Sequence, residues 1–327
     1  MIVVTGGAGF IGSNLVAALE AAGRRDLVVC DWLGRDEKWR NIAKRDLADL
    51  IAPEALFDFL DARRGTIEAI FHMGAISATT ETDADLIART NIELPQRLWH
   101  WCAENGTRLI YASSAATYGD GSAGFEDSDS AAGLAVLRPL NAYGWSKLAF
   151  DRRAARFVRQ GITPPQWAGL RFFNVYGPNE YHKGGQMSVV PQIYNRVAAG
   201  QAARLFRSHH PDYEDGGQLR DFIAVEDCVD VMLWLYENPS VSGLFNCGTG
   251  AARSFRDLTE SVFRALGQMP NIEYVDTPEA IRAKYQYFTQ ADMAKLRRAG
   301  YDRQFTALEA GVSRYVLDYL AAEDPYR

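Results

Sequence analysis

The chain opens on a β-branched run from Met1 to Thr5, passes directly into Gly6-Gly7-Ala8-Gly9-Phe10-Ile11-Gly12, and continues as a helical pattern from Ser13 to Ala22. Strand, glycine loop and helix in immediate succession are compatible with few folds. Glycines at 6 or 7, 9 and 12 allow a tight turn, close backbone approach to a pyrophosphate and close packing of helix on strand, while the helix N-terminus offers donors and partial positive charge. A second strand, Leu27-Val28-Val29-Cys30, ends in Asp31, close to the interval of roughly twenty residues at which an acidic side chain meets a ribose hydroxyl. Such a βαβ unit predicts an α/β fold built on a doubly wound parallel sheet that binds a dinucleotide. Asp31 favours NAD, whereas Arg35, Lys38 and Arg40 just downstream can neutralise a 2′-phosphate, as NADP requires; the residues alone leave both open.

Further along, Glu68-Ala69-Ile70-Phe71-His72 reads as a strand ending in the small residues of Met73-Gly74-Ala75, which let a cofactor lie close; His72 is expected to pack at the strand end. A helical stretch from Asp83 to Glu104 carries Asn91, and the strand Arg108-Leu109-Ile110-Tyr111 leads to Ala112-Ser113-Ser114, placing Ser114 where sheets of this type present ligand-facing residues. The turn Arg138-Pro139-Leu140-Asn141 then starts a helix near Tyr143. Tyr143 and Lys147, four apart, share one face of it. A nearby cation favours the phenolate, so this spacing predicts a tyrosine whose pKa is lowered from its usual value near roughly 10 and which moves a proton on or off a carbinol.

Composition narrows the remaining classes. A chain of 327 residues that is 47% apolar can bury a substantial core, and a net charge of -6 with basic and acidic residues intermixed gives no case for nucleic acid or an anionic membrane. The N-terminus lacks the regions of a signal peptide and no apolar run could span a bilayer, so a cytoplasmic location is expected. Cys30, Cys102, Cys228 and Cys247 stand far apart without metal-type spacing, which predicts buried free thiols and no metal site.

The segments TGGAGFIGSN, YASSAATYG and NAYGWSK together resemble the extended short-chain dehydrogenase/reductase family. In that family serine, tyrosine and lysine form the catalytic set, which maps here to Ser114, Tyr143 and Lys147. Within it, the order Phe173-Asn174-Val175-Tyr176-Gly177-Pro178, His182-Lys183-Gly184, Phe245-Asn246-Cys247-Gly248-Thr249-Gly250 and Tyr285 to Asp292 is similar to the ADP-L-glycero-D-manno-heptose 6-epimerase family, nearly end to end. The resemblance implies an isomerase acting on an ADP-heptose for the lipopolysaccharide core, with NADP (NAD as the other possibility) held through turnover, oxidation at C6 and return of the hydride to the opposite face. Inversion needs proton-transfer groups on two faces, which by motif position are Tyr143 and Lys183. A homo-oligomer is also implied.

By the same resemblance the cofactor contacts are Gly6, Gly9, Phe10, Ile11, Gly12, Asp31, Trp32, Lys38, the acidic-apolar pair Asp46-Leu47 about the adenine, Met73, Gly74, Ala75, Ile76, Ser77 and Asn91, together with Tyr143 and Lys147. Substrate contacts are Ser114, Asn174, Lys183, Gln192, Phe206, Arg207, Arg220 and Tyr285, with the Arg220 fork matched to phosphate oxygens. The domains are expected to be discontinuous: residues 1–172 plus about 221–250 for the dinucleotide, about 173–220 plus 251–327 for the nucleotide sugar, and the site in the cleft between them. Gly185 and Gln192 stand where a serine and a histidine are expected, and His209 to Gly217 is an added segment read as a polar insertion that could reshape sugar specificity. Two other readings compete. A UDP-hexose 4-epimerase shares the fold and catalytic set, and a non-catalytic NADP-binding sensor shares the cofactor motif. A 4,6-dehydratase is disfavoured because Ala115-Ala116 stand where an acidic pair is needed to expel water.

Overall fold

The structure is a computed structural model that describes residues 1–282 and 285–327. Its strands in chain order are β1 (Ile2–Thr5), β2 (Leu27–Cys30), β3 (Asp49–Ile51), β4 (Ala69–His72), β5 (Arg108–Ser114), β6 (Trp167–Phe172), β7 (Asn174–Tyr176), β8 (Ala203–Phe206), β9 (Leu219–Arg220), β10 (Phe222–Ala224), β11 (Gly243–Cys247), β12 (Arg253–Ser254) and β13 (Ile272–Val275). Every residue of β1, β2, β4, β6 and β11 is buried. Such unbroken apolar runs arise when helices cover both faces of a parallel sheet. The main sheet is indeed parallel, in the order β11-β6-β5-β4-β1-β2-β3. From β1 the chain winds outward through β2 and β3, then returns to the other side of β1 at β4. That reversal opens a crevice at the carboxyl ends of β1 and β4, the place where doubly wound sheets bind ligands.

The first helix spans Phe10–Ala21 and so starts three residues before the Ser13 expected from the sequence, with Gly9 as its N-cap and no side-chain cap. Its first N–H groups are therefore left for a ligand. The stretch read as one helix from Asp83 to Glu104 is broken into Ala84–Ala88, a π-turn at Arg89–Glu93 and Leu94–Asn105. The wide turn carries Asn91, whose carboxamide accepts from the Ile76 N–H at 2.9 Å, donates to the Ile76 carbonyl at 2.9 Å and to Ser146 Oγ at 3.0 Å. π-turns of this sort recur at functional sites. The helix expected near Tyr143 spans Ala142–Arg159, and Asn141 caps it by accepting the Gly144 N–H at 2.8 Å.

Among the described residues two hydrophobic cores form. The larger one surrounds the main sheet. The smaller one joins Val190, Ile193 and Val197 of helix Val189–Ala198 to Leu258, Val262 and Phe263 of helix Phe255–Ala265, and is closed by Leu308, Val312, Tyr315 and Val316. Phe222 and Ala224 belong to the small core, whereas Ala291, Met293, Leu296 and Tyr301 belong to the large one. β13 pairs in parallel with β8 beside the small core. All four cysteines are buried and free. Among the described residues no helix is long and apolar enough to cross a membrane.

Candidate active site

A cleft of ≈ 850 Å³ lies over the carboxyl ends of the central strands. It is lined by Gly6, Gly9, Phe10, Ile11, Gly12, Asp31, Lys38, Met73, Gly74, Ala75, Ser77, Ser114, Tyr143, Lys147, Asn174 and Lys183, each of them singled out from the sequence. Two glycines are dictated by space. A Cβ on Gly6 would stand 2.4 Å from the Gly74 nitrogen, and one on Gly12 would stand 2.2 Å from the Gly6 oxygen. The loop is thus pressed against both the next strand end and its own helix, leaving a smooth backbone cradle that fits a dinucleotide pyrophosphate.

At one end of the cradle the Asp31 carboxylate receives a donor on each oxygen: Ala8 N–H at 3.0 Å and Lys38 Nζ at 2.7 Å. The same ammonium donates to the Trp32 carbonyl at 2.8 Å. The pair neutralises itself, so a further anion meets no bare carboxylate there. Several expected cofactor residues lie elsewhere. The Trp32 indole is 49% exposed and donates to Glu54. Asp46 faces a separate depression with Glu20, Arg25 and Arg45, while Leu47 packs on the large core. Both residues precede the edge strand β3, which begins at Asp49. Ile76 and Asn91 stand behind the wall and brace it through the bonds described above.

At the other end Tyr143 and Lys147 share the helix face that their spacing predicts, with Lys147 Nζ 5.9 Å from the phenol ring centroid. The electrostatics differ from the sequence expectation. Burial pushes the Tyr143 phenol up, with Ser114 acting against it, and Lys147 is not what sets the balance. The lysine is anchored by donating to the Ala112 carbonyl at 2.8 Å, and burial pushes its ammonium down to about 8, opposed by Asp151 one turn further on. Desolvation outweighs the opposite charge because both groups stand in the same dry wall. The resting site therefore holds a protonated phenol, a proton donor to an oxygen placed beside it. His72 sits at its strand end as expected, its Nδ1 2.6 Å from Thr5 Oγ1, and burial together with Lys147 holds it neutral, down at about 3.

Behind Ser114 lies an ion pair that sequence reasoning missed. Asp151 and Arg171 are both 0% exposed, with Arg171 Nε donating to Asp151 at 3.1 Å. The carboxylate also accepts from Ser113 Oγ at 2.9 Å and Tyr111 OH at 3.2 Å, and Arg171 donates to Tyr118 OH at 3.0 Å, whose own hydroxyl donates to Asn246 at 2.6 Å. The signals were present: an arginine inside the apolar run of β6, and an aspartate on the buried face of the helix one turn after Lys147.

Lys183 belongs to a short 3-10 segment, Tyr181–Gln186, and its Nζ lies 5.3 Å from the Phe10 ring centroid. Burial lowers its pKa, with Glu180 opposing. Glu180, fully buried, accepts from the Ser188 backbone N–H, from Ser188 Oγ at 2.7 Å and from Tyr315 OH at 3.1 Å, which closes the loop on itself and ties it to the small core. Gln192 is not among the lining residues and donates to the Met187 carbonyl at 2.9 Å. Phe206 and Tyr285 stack edge-on at 6.0 Å, and Arg220 lies 5.5 Å from the Tyr285 ring and 5.6 Å from Phe255, which itself lines the cleft. Arg207 is exposed, 3.9 Å from Asp276. The added segment is aromatic in effect: His210 and Tyr213 pack on Tyr287 at 5.1 and 5.2 Å.

Residues 2–248 match the model of the NAD dependent epimerase/dehydratase family. The chain belongs to that family. Among similar family members is the ADP-L-glycero-D-manno-heptose-6-epimerase of Nitratidesulfovibrio vulgaris (strain DP4), 52% identical over 100% of both chains. A Helicobacter pylori crystal structure of the same enzyme name superposes with a TM-score of 0.79 at 28% identity, covering 98% of this chain and 96% of that one. MoeE5 in complex with UDP-glucuronic acid and NAD superposes with a TM-score of 0.74, also at 28% identity, covering 95% and 96%.

In this epimerase/dehydratase family member the buried Lys147 ammonium carries a stability cost that can be measured. Lowering its pKa from 10.5 to about 8 corresponds to about 3 kcal/mol. Between those values the unfolded chain holds a proton that the folded chain has lost, so wild-type stability climbs with pH across that window. Lys147→Met removes the cost and also the Ala112 hydrogen bond, worth about 1 kcal/mol. The variant is expected to be more stable than the parent by about 2 kcal/mol at pH 7, and to lose that advantage by pH 10. Urea unfolding of both proteins at the two pH values checks it; an advantage that did not change with pH would count against a buried ammonium.

Proposed function

We propose that the protein inverts C6 of ADP-D-glycero-D-manno-heptose to give the L-glycero epimer, by transient oxidation and re-reduction with a bound NADP. The observation that carries this reading is the convergence on one cleft of two proton-bearing side chains from separate segments, Tyr143 and Lys183, beside a dinucleotide cradle. An inversion needs a proton-transfer group for each epimer, and a simple dehydrogenase needs only one. The dinucleotide, when bound, accepts a hydride from the sugar carbon and returns it. Tyr143 holds and moves the carbinol proton, Ser114 stands beside the phenol to bond the same oxygen, and Lys147 is fixed through Ala112 at the wall that faces the nicotinamide ribose. Lys183, beside Phe10, serves the other epimer. The self-neutralised Asp31–Lys38 pair supports NADP over NAD, because Lys38 stands ready for a 2′-phosphate and Asp31 is already compensated.

The test is to incubate purified protein, without added cofactor, with ADP-D-glycero-D-manno-heptose and to resolve the two C6 epimers by NMR. Appearance of the L-glycero epimer with no net reduced cofactor is the expected result. No conversion by protein shown to carry its dinucleotide would move the reading to a UDP-hexose 4-epimerase.

A further inference from the structure

His182, immediately before Lys183, lines the cleft but has no part in the proton transfers above. Its neighbours define its chemistry. Asn41 Nδ2 lies 2.9 Å from the Ala8 carbonyl, 3.0 Å from the Asn179 carbonyl and 3.2 Å from His182 Nδ1. Turning the carboxamide over would set its oxygen against two carbonyl oxygens, so its orientation is fixed, even though Oδ1 is left buried without a partner. An amide nitrogen carries hydrogens and accepts none. A protonated Nδ1 would set hydrogen against hydrogen, so the nitrogen facing Asn41 is the bare one and the imidazole proton resides on Nε2 of a ring that lines the cleft.

The ring's position is equally defined. Asn41 holds the imidazole over the glycine loop at Ala8, the residue whose N–H donates to Asp31 at 3.0 Å. The charged groups that act on it are Lys38, Asp31 and Asp36 from the segment after β2, and Lys183 from its own loop. His182 thus stands beside the Asp31–Lys38 pair, at the end of the cradle where a dinucleotide fold places the adenosine ribose. Burial and the two lysines keep the imidazole neutral, with its pKa down at about 4, so it is a neutral donor flanked by ammonium groups.

We propose that His182 reads the 2′-phosphate of the cofactor, its Nε2–H and Lys38 Nζ together binding the phosphate oxygens and discriminating NADP from NAD. This rests on the reading of the cofactor as NADP. A phosphate dianion suits a site with one ammonium, one neutral N–H and a carboxylate already paired. A free ribose hydroxyl does not need the second donor. The residue comes from the loop that also carries Lys183, whereas the glycine motif and Asp31 come from the first βαβ unit.

The test is a comparison of NADP and NAD dissociation constants by calorimetric titration of dinucleotide-free protein. The wild type is expected to prefer NADP. His182→Ala is expected to weaken NADP by on the order of tenfold or more, as befits loss of a hydrogen bond to a charged group, and to leave NAD unchanged, which also shows that the variant is folded. His182→Gln, whose amide keeps an N–H at the Nε2 position, is expected to recover most of the preference. Equal weakening of both dinucleotides would place the ring on the shared pyrophosphate and overturn the proposal while leaving the NADP reading intact, as would no change in either. A wild type without preference would overturn both.

Discussion

Tyr143→Phe is expected to fold, to bind dinucleotide and nucleotide sugar as the parent does, and to lose turnover by about 10²- to 10⁴-fold. The loss is confined to one hydroxyl. The helix start that presents the ring is fixed independently of it, by the Asn141 cap and by Ser146 Oγ donating to the Tyr143 carbonyl at 2.7 Å. The half-buried phenyl ring keeps its packing, and no buried polar group is stranded by the change. Because the phenol is held protonated by its surroundings, the variant loses the proton donor of the reducing direction. Single-turnover NMR of the C6 epimers measures the loss, and thermal melting with and without dinucleotide shows that the rest is intact. Near-normal turnover would remove Tyr143 from the mechanism.

Asp151→Ala should produce the largest stability change in the molecule. It strands Arg171, fully buried, with the Tyr118 hydroxyl as its one remaining partner among the described residues, and deprives Ser113 and Tyr111 of their acceptor. Breaking one side of a buried pair costs about 3–5 kcal/mol. The double replacement Asp151→Leu with Arg171→Met fills similar volume without leaving a charge, and is expected to regain most of that loss. Urea midpoints of the single and double variants measure both. A single variant that lost less than about 1 kcal/mol would mean that the pair is solvated in solution. Asp151 also lies one turn beyond Lys147, so Asp151→Ala removes the charge that opposes the lowering of the lysine's pKa.

The sheet and the cradle were legible because their physical demands are local. A strand buried on both faces needs an unbroken apolar run, and a backbone pressed within 2.4 Å of a would-be Cβ needs glycine, so both leave a mark within a few residues of sequence. The place of Asp46-Leu47 was not legible: β3 begins only at Asp49, and nothing in the residues fixes where a short edge strand starts. The sense of the Tyr143 shift was not legible either. Spacing shows that a cation is near, whereas the depth of burial that outweighs it depends on the strands and loops packed around the helix. Asp151 and Arg171 met across different elements for the same reason, as did His182 and Asn41. The insertion was read as polar from its composition, yet its rings find Tyr287, far away in sequence, and become a packed aromatic group.

The closing of the small core by Leu308, Val312, Tyr315 and Val316 has a consequence for how the chain is made. Synthesis runs from the N-terminus, and domains fold as their residues emerge. The last strand of the main sheet, Gly243–Cys247, and the whole glycine cradle leave the ribosome well before these residues do. A nascent chain therefore acquires a place for its dinucleotide while the apolar faces of helices Val189–Ala198 and Phe255–Ala265 still lack their cover. Early dinucleotide capture would hold the main sheet during that interval, and the interval itself, with two greasy helix faces open to neighbouring chains, is when overproduction in a cell ends most readily in aggregates.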